Sequence, residues 1–187
     1  MNEKQKKIIM CAIEVITRYG VRKATMGDIA DQAGISRQTL YASYKNKEEI
    51  LAATIRYSTD KTIEEVEKAW SVQVKLSEKI DAFFEMAIIF YFKAMADMPD
   101  WKDIISGHND IGPEEKRAAE DRKAELLASL FVEYDEPLKK NGSNAKDYAE
   151  FFASSASNFK YIAQDEAQLR RLLSSLKSST LLMVSEH

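Results

Sequence analysis

Four helix starts are written into the first fifty residues, and that density of punctuation constrains the fold more than any other feature of the chain. Ile8, Ile9, Ala12, Ile16 and Tyr19 recur with a helical period, and Gly20 ends that run. Thr25 can cap the next helix, with Asp28 three residues on as a partial capping box. Gly34 follows after one short helix, and Ser36 can cap another. Asn46 can cap a fourth, with Glu49 at the capping-box position and Glu48 near the positive helix end. Three short helices joined this closely form a miniature core only by packing on one another. Ile29, Ile35 and Leu40 are the residues available for it.

The rest of the chain carries longer helical patterns. Leu76, Ile80, Phe83, Phe84, Ala87, Ile88, Tyr91 and Met95 keep helical spacing, and the second half of that run is apolar all round, which predicts the centre of a bundle. Asp97–Asp100 breaks it, and Trp101–Ser106 reads as a short helix ending at Gly107. Gly112-Pro113-Glu114-Glu115 opens another, since proline suits the first helical position and acids suit the first turn. Residues 136–144 read as the longest polar loop. Asn144 and Asp165 then cap the last two helices. The expected architecture is all-α, with about nine helices. A helix-turn-helix would occupy residues 1–46, and a larger helical bundle residues 47–187.

Composition closes off several classes. Three prolines and six glycines leave little room for a turn-rich β fold. One cysteine, Cys11, gives neither an internal disulfide nor a multi-cysteine metal site, and suits a reducing cytoplasm. Its spacing on the first helix favours packing over redox sensing. No secretory signal is visible in the charged start of the chain. The longest apolar run, residues 86–92, is far short of the roughly 20 residues that span a bilayer, so no membrane partner is expected. There is no phosphate-cradling glycine loop, no His-x-x-x-His, no Gly-x-Ser-x-Gly and no cysteine–histidine pairing, so no catalytic residue, metal or cofactor is assigned. His108, alone in a Gly- and Asn-containing loop, reads as solvent-exposed.

Charge is unevenly spread. Residues 1–56 hold ten Lys and Arg against six Asp and Glu, a surplus of four in a chain of net charge −3. A basic head on an acidic body suits a protein that meets phosphates with one end. The helix after Gly34 presents Ser36, Arg37, Gln38, Thr39, Tyr41, Ser43 and Tyr44, and a helix of that size fits the major groove.

With these residues in view, the segment Gly20-Val21, Thr25-Met26-x-x-Ile29-Ala30-x-x-Ala33-Gly34-Ile35-Ser36-x-x-Thr39-Leu40-Tyr41-x-x-Tyr44-x-Asn46-Lys47-Glu48-Glu49-Ile50 resembles the N-terminal domain of the TetR family of transcriptional regulators. The resemblance implies a homodimer, a palindromic double-stranded DNA operator, and a small-molecule effector that weakens DNA binding. It places Thr25 as a cap that can touch a phosphate. Base and phosphate contacts would originate at Ser36, Arg37, Gln38 and Thr39, and Lys47 would lie on a phosphate. Tyr41 packs or touches the DNA backbone in such proteins, and the position of Tyr44 is largely structural. Gln38 stands where a small residue is usual, and Ser43 where a histidine or aromatic is usual.

For the C-terminal half the expected effector pocket is apolar, from Met86, Phe90, Trp101, Phe131 and Phe152, with Asn158 as a polar fix. The expected dimer seam uses Phe152, Ser155, Phe159, Leu172, Leu176, Thr180 and Met183. The function so read is a repressor released by a largely apolar effector. The competing reading is a helical interaction module that has kept the fold without ligand control of DNA binding.

Overall fold

The structure is a computed structural model that describes residues 1–99 and 113–185. Among them every regular element is helical. The chain divides into two compact units, Met1–Asp60 with Ala94–Lys116, and Lys61–Lys93 with Arg117–His187. The expected helix over Trp101–Ser106, Gly107, His108 and Gly112 lie outside the described residues.

In the first unit, α1 (Glu3–Tyr19) opens on a reciprocal capping box: Asn2 Oδ1 accepts from Gln5 N at 2.8 Å, and Gln5 Oε1 accepts from Asn2 N at 3.1 Å. Gly20 stops it with a φ of 83°, a backbone setting that glycine tolerates best. Helix α2 (Met26–Ala33) ends at Gly34 in the left-handed conformation, φ 66° and ψ 37°, which turns the chain at once into α3 (Arg37–Tyr41). Ile8, Ile9, Ala12 and Ile16 of α1 close over Ile29, Ala30 and Leu40, all buried, to make a small apolar core. Cys11 is buried there, its Sγ 3.7 Å from the carbonyl of Gln32, and burial raises its thiol pKa. Helix α4 (Lys47–Trp70) supplies Ile50, Leu51 and Ala53 to this core and Val66 to the core of the second unit.

In the second unit α5 (Leu76–Phe83) passes through a π-helical turn, Phe84–Ile89, into α6 (Phe90–Ala96). Helix α7 (Pro113–Phe131) leads through a short 3-10 turn into α8 (Asp135–Lys140), followed by α9 (Ala145–Ile162) and α10 (Glu166–Met183). Asn144 and Asp165 cap the last two helices as expected. The core is aromatic: Phe84 stacks flat on Phe152 at 5.4 Å, and Phe131 meets both Phe152 and Tyr148 edge-on. Most of the polar loop expected at 136–144 is helix instead. Asp135 and Glu136 sit in the favoured first turn, Pro137 falls where a missing N–H costs little, and Lys139 pairs with Asp135 at 2.7 Å one turn back.

Candidate nucleic-acid interface

The reading surface is built on a capped first turn. Thr25 Oγ1 and Thr25 N both donate to the Asp28 carboxylate, at 2.6 and 2.9 Å, while Asp28 N donates back to Thr25 Oγ1 at 3.2 Å. These bonds, from the Thr25 side chain first and its backbone next, hold the Asp28 carboxyl below the usual range. Ser36 caps α3 by accepting from Thr39 N at 3.1 Å, and the two hydroxyls meet at 2.9 Å. Leu40 is fully buried and anchors the helix, which leaves Ser36, Arg37, Gln38 and Tyr41 exposed. Half of Tyr41 faces solvent, a high fraction for an aromatic ring with no structural need to be there.

The remaining expected contacts divide. Thr25 is exposed, Thr39 is half-buried, and Ser43 is half-buried with its hydroxyl donating to Thr39 O at 3.4 Å. Tyr44 is buried and borders a hollow of about 270 Å³ with Gln5, Ala53, Arg56 and Tyr57. Burial raises its phenol pKa, and the ring packs against the core of this unit.

Lys47 is the clearest departure from the expected set. Its Nζ donates to three backbone carbonyls, Val21 O at 3.0 Å, Arg22 O at 3.2 Å and Ala24 O at 3.1 Å. An ammonium has three protons, and all three are used. Lys47 thus holds the α1–α2 turn in place, with all three of its protons engaged by the main chain. Its three acceptors are main-chain groups, which no side-chain pattern could have announced.

One further residue was absent from the expectation. Gly27 lies inside α2, and the Arg37 side chain rests over it. Gly27 is the second residue of α2, and a glycine where alanine is the better helix former was the available signal.

The described members of the expected effector pocket lie in different surroundings. Phe131 and Phe152 are fully buried in the aromatic core, and Met86 is half-buried against it. Phe90 is 62% exposed, with its ring edge-on to Tyr91. The π turn explains this. By α-helical spacing Phe90 lies two turns from Phe83 on the inner face, but the extra residue of the π turn rotates it outward. Asn158 is exposed, and its Nδ2 donates to Ser154 O at 2.8 Å. It lies six residues from Phe152 and so on the far side of α9. Trp101 is outside the described residues.

The expected dimer seam is likewise mixed. Phe152, Leu176 and Thr180 are buried within the protomer, Thr180 by a 2.9 Å hydrogen bond with the Tyr148 phenol, so these three close the core. Ser155, Phe159, Leu172 and Met183 are half-buried. The large hydrophobic side chains that α9 and α10 expose are Phe151, Tyr161, Ile162 and Leu182. Among the described residues no group of His, Cys, Asp and Glu is placed to hold a metal ion, and no helix is long and apolar enough to cross a membrane.

Two short helices at a glycine turn, the second capped and exposing polar side chains, define a helix-turn-helix DNA-binding domain. Residues 8–54 match the model of the bacterial regulatory proteins of the tetR family. The chain is similar to the fatty acid metabolism regulator protein of Bacillus subtilis, 34% identical over 77 residues, which cover 41% of this chain and 40% of that protein. The chain thus matches less than half of that relative's length. Its fold is that of a transcriptional regulator from Cytophaga hutchinsonii, with a TM-score of 0.74 at 17% identity over 98% of this chain and 97% of that one. The same holds for the transcriptional regulator FadR from Bacillus subtilis in complex with stearoyl-CoA, with a TM-score of 0.66 at 20% identity over 97% of this chain and 99% of that one. The relatives named here are regulators, not enzymes.

Proposed function

We propose that this protein is a DNA-binding transcriptional repressor that grips a palindromic operator as a homodimer and lets go when a largely apolar small molecule binds. The observation that carries the reading is α3, a five-residue helix pinned by buried Leu40 and offering Arg37, Gln38 and Tyr41 to the outside. Such side chains do nothing for the stability of so short a helix, and they suit base edges and phosphates. Residues 1–46 would then read DNA, and residues 47–187 would bind the effector and the second copy.

Two such helices bind far better when a dimer sets them one helical turn of DNA apart, about 34 Å. Phe151 and Ile162 of α9 and Leu182 of α10 are exposed apolar side chains, with exposed Ser154, Ser174, Ser175 and Ser178 on the same two helices. Small residues let helices approach closely, and the large ones would fill the space between them. A second copy of the same two helices is the partner this surface suits.

The effector reading rests on the aromatic core of the second unit and on the relatives. One relative regulates fatty acid metabolism, and another structure with this fold holds stearoyl-CoA. A long-chain acyl thioester is the class we propose, taken up by the second unit. A mobility shift with the chain's own upstream DNA, titrated with stearoyl-CoA, tests both parts. The expected result is a shifted band that the thioester releases. A shift insensitive to acyl thioesters leaves a regulator with a different effector. No shift on any upstream fragment turns the reading toward an interaction module. Trp70, half-buried, with its indole N–H donating to Lys79 O at 2.8 Å, is the fluorescence reporter for the second unit.

A further inference from the structure

Arg37 is the first residue of α3 and sits where a side chain has two destinations, the edges of the bases or the phosphates of one strand. Its guanidinium does not extend along the axis of α3. It folds back over the first turn of α2, where a Cβ built on Gly27 would stand 2.8 Å from Arg37 Nη2, 3.2 Å from Cζ and 3.3 Å from Nε. Contacts below 3.0 Å are not sustained by real side chains, so a Cβ here would displace the guanidinium, the flexible end of Arg37, from this seat. The charge of Arg37 also reaches Asp28, adding a small contribution to the Thr25 hydrogen bonds that lower that carboxyl's pKa. Gly27 is the second residue of α2. Its φ is not in the left-handed region, which only Gly20, Gly34 and Gly142 occupy among the described residues. The backbone there does not call for glycine; what a Cβ would meet is the end of the Arg37 side chain.

In a helix-turn-helix the first helix crosses the DNA backbone and the second enters the groove. A guanidinium laid over the first turn of α2 is therefore held beside the backbone-crossing helix. We propose that Gly27 is a positioning residue that seats Arg37 as a phosphate clamp, and that Arg37 sets affinity while base choice falls to its neighbours on α3. This inference rests on the DNA-binding reading above.

A double-mutant cycle on the full-length protein tests it. Arg37→Ala should weaken operator binding about tenfold, as loss of a charge-assisted contact does. It should lower the slope of log K against log salt by about one, with the ranking of operator variants unchanged. Gly27→Ala should show the same loss of affinity and slope while raising the melting temperature, because alanine is the better helix former. In the Arg37→Ala background, Gly27→Ala should cost no further affinity. The free protein gives a second readout: a nuclear Overhauser contact between Arg37 Nε–H and the Gly27 α-protons, present in wild type.

An unchanged affinity in Gly27→Ala, an additive double mutant, a reordered operator ranking in Arg37→Ala, or a missing Arg37–Gly27 contact each overturns the inference while wild type still shifts DNA. Failure of wild type to bind any upstream fragment overturns the DNA-binding reading itself, and the clamp with it.

Discussion

The ammonium of Lys47 lies 3.0 Å from the carbonyl oxygen of Val21, across 26 positions of sequence, and its other two protons reach Arg22 O and Ala24 O. One side chain thus gathers the turn that leads into Thr25 and the reading surface. Lys47→Ala should lower stability by about 2–3 kcal/mol, the range for hydrogen bonds made by a charged group, measured by urea denaturation. Lys47→Arg should not restore it, since a planar fork cannot meet three carbonyls converging on one point. The salt slope of DNA binding should stay at its wild-type value. A slope lower by about one would return Lys47 to the phosphate contacts.

The exposed apolar residues of α9 and α10 make a separate prediction. Phe151→Asp or Ile162→Asp should give a folded monomer in sedimentation and weaken operator binding by an order of magnitude or more. Leu176→Asp should instead unfold the second unit, because Leu176 is buried within the protomer. If both Phe151→Asp and Ile162→Asp stay dimeric at micromolar concentration, the seam lies elsewhere.

A charged cluster inside the second unit contributes to stability in a pH-dependent way. Lys123 Nζ donates to Glu120 Oε1 at 2.6 Å, and Ser157 Oγ donates to Glu120 Oε2 at 2.6 Å. Burial by itself raises the Glu120 pKa, but the charges of Lys123 and Lys160 and the two hydrogen bonds outweigh it, and the carboxyl is held below its ordinary value. A depressed folded pKa contributes stability that is complete above the unfolded value near 4.5 and is lost as pH falls through the folded one. Thermal melts should therefore show this contribution intact at neutral pH and disappearing below pH 4.5. Glu120→Gln should remove it throughout and cost about 1–3 kcal/mol at pH 7. That is less than a fully buried pair would lose, since a third of the Glu120 side chain remains exposed.

Tyr148 and Thr180 give the smallest test. Tyr148→Phe removes the 2.9 Å hydrogen bond that ties α9 to α10, but Thr180 Oγ1 keeps its 2.8 Å bond to Leu176 O. No buried hydroxyl is left without a partner, so the loss should be about 1 kcal/mol in denaturation. A loss above about 3 kcal/mol would mean that the phenol carries more of the α9–α10 packing than its one bond.

What could be read from the chain alone follows the locality of the signal. Thr25, Ser36, Asn144 and Asp165 cap the helices that their sequence neighbours announce, and Gly34 takes the left-handed turn, because each device is complete within a few residues. The exposure of Arg37, Gln38 and Tyr41 was legible for the same reason. Lys47 was not, since its partners are carbonyls brought close by tertiary packing. Neither was the division of α9 into a core face with Phe152 and an outer face with Phe151, because both are large apolar neighbours and only the packed partner separates them.

The π turn at Phe84–Ile89 has a consequence for how this chain tolerates change in length. Phe90 N–H bonds to Glu85 O, five residues back, so the turn holds one residue more than an α-turn would. Before it, the solvent-facing positions Asp81 and Glu85 are four apart; across it, Glu85 and Phe90 are five apart. The helix thus carries a phase slip, and two conventional apolar stripes look like one continuous apolar surface when a single period is laid over both. Removing one residue here would let the segment relax to ordinary winding with the flanking stripes still aimed at the core. Removing one from α9, which has no such slack, would turn half of its aromatic face toward water.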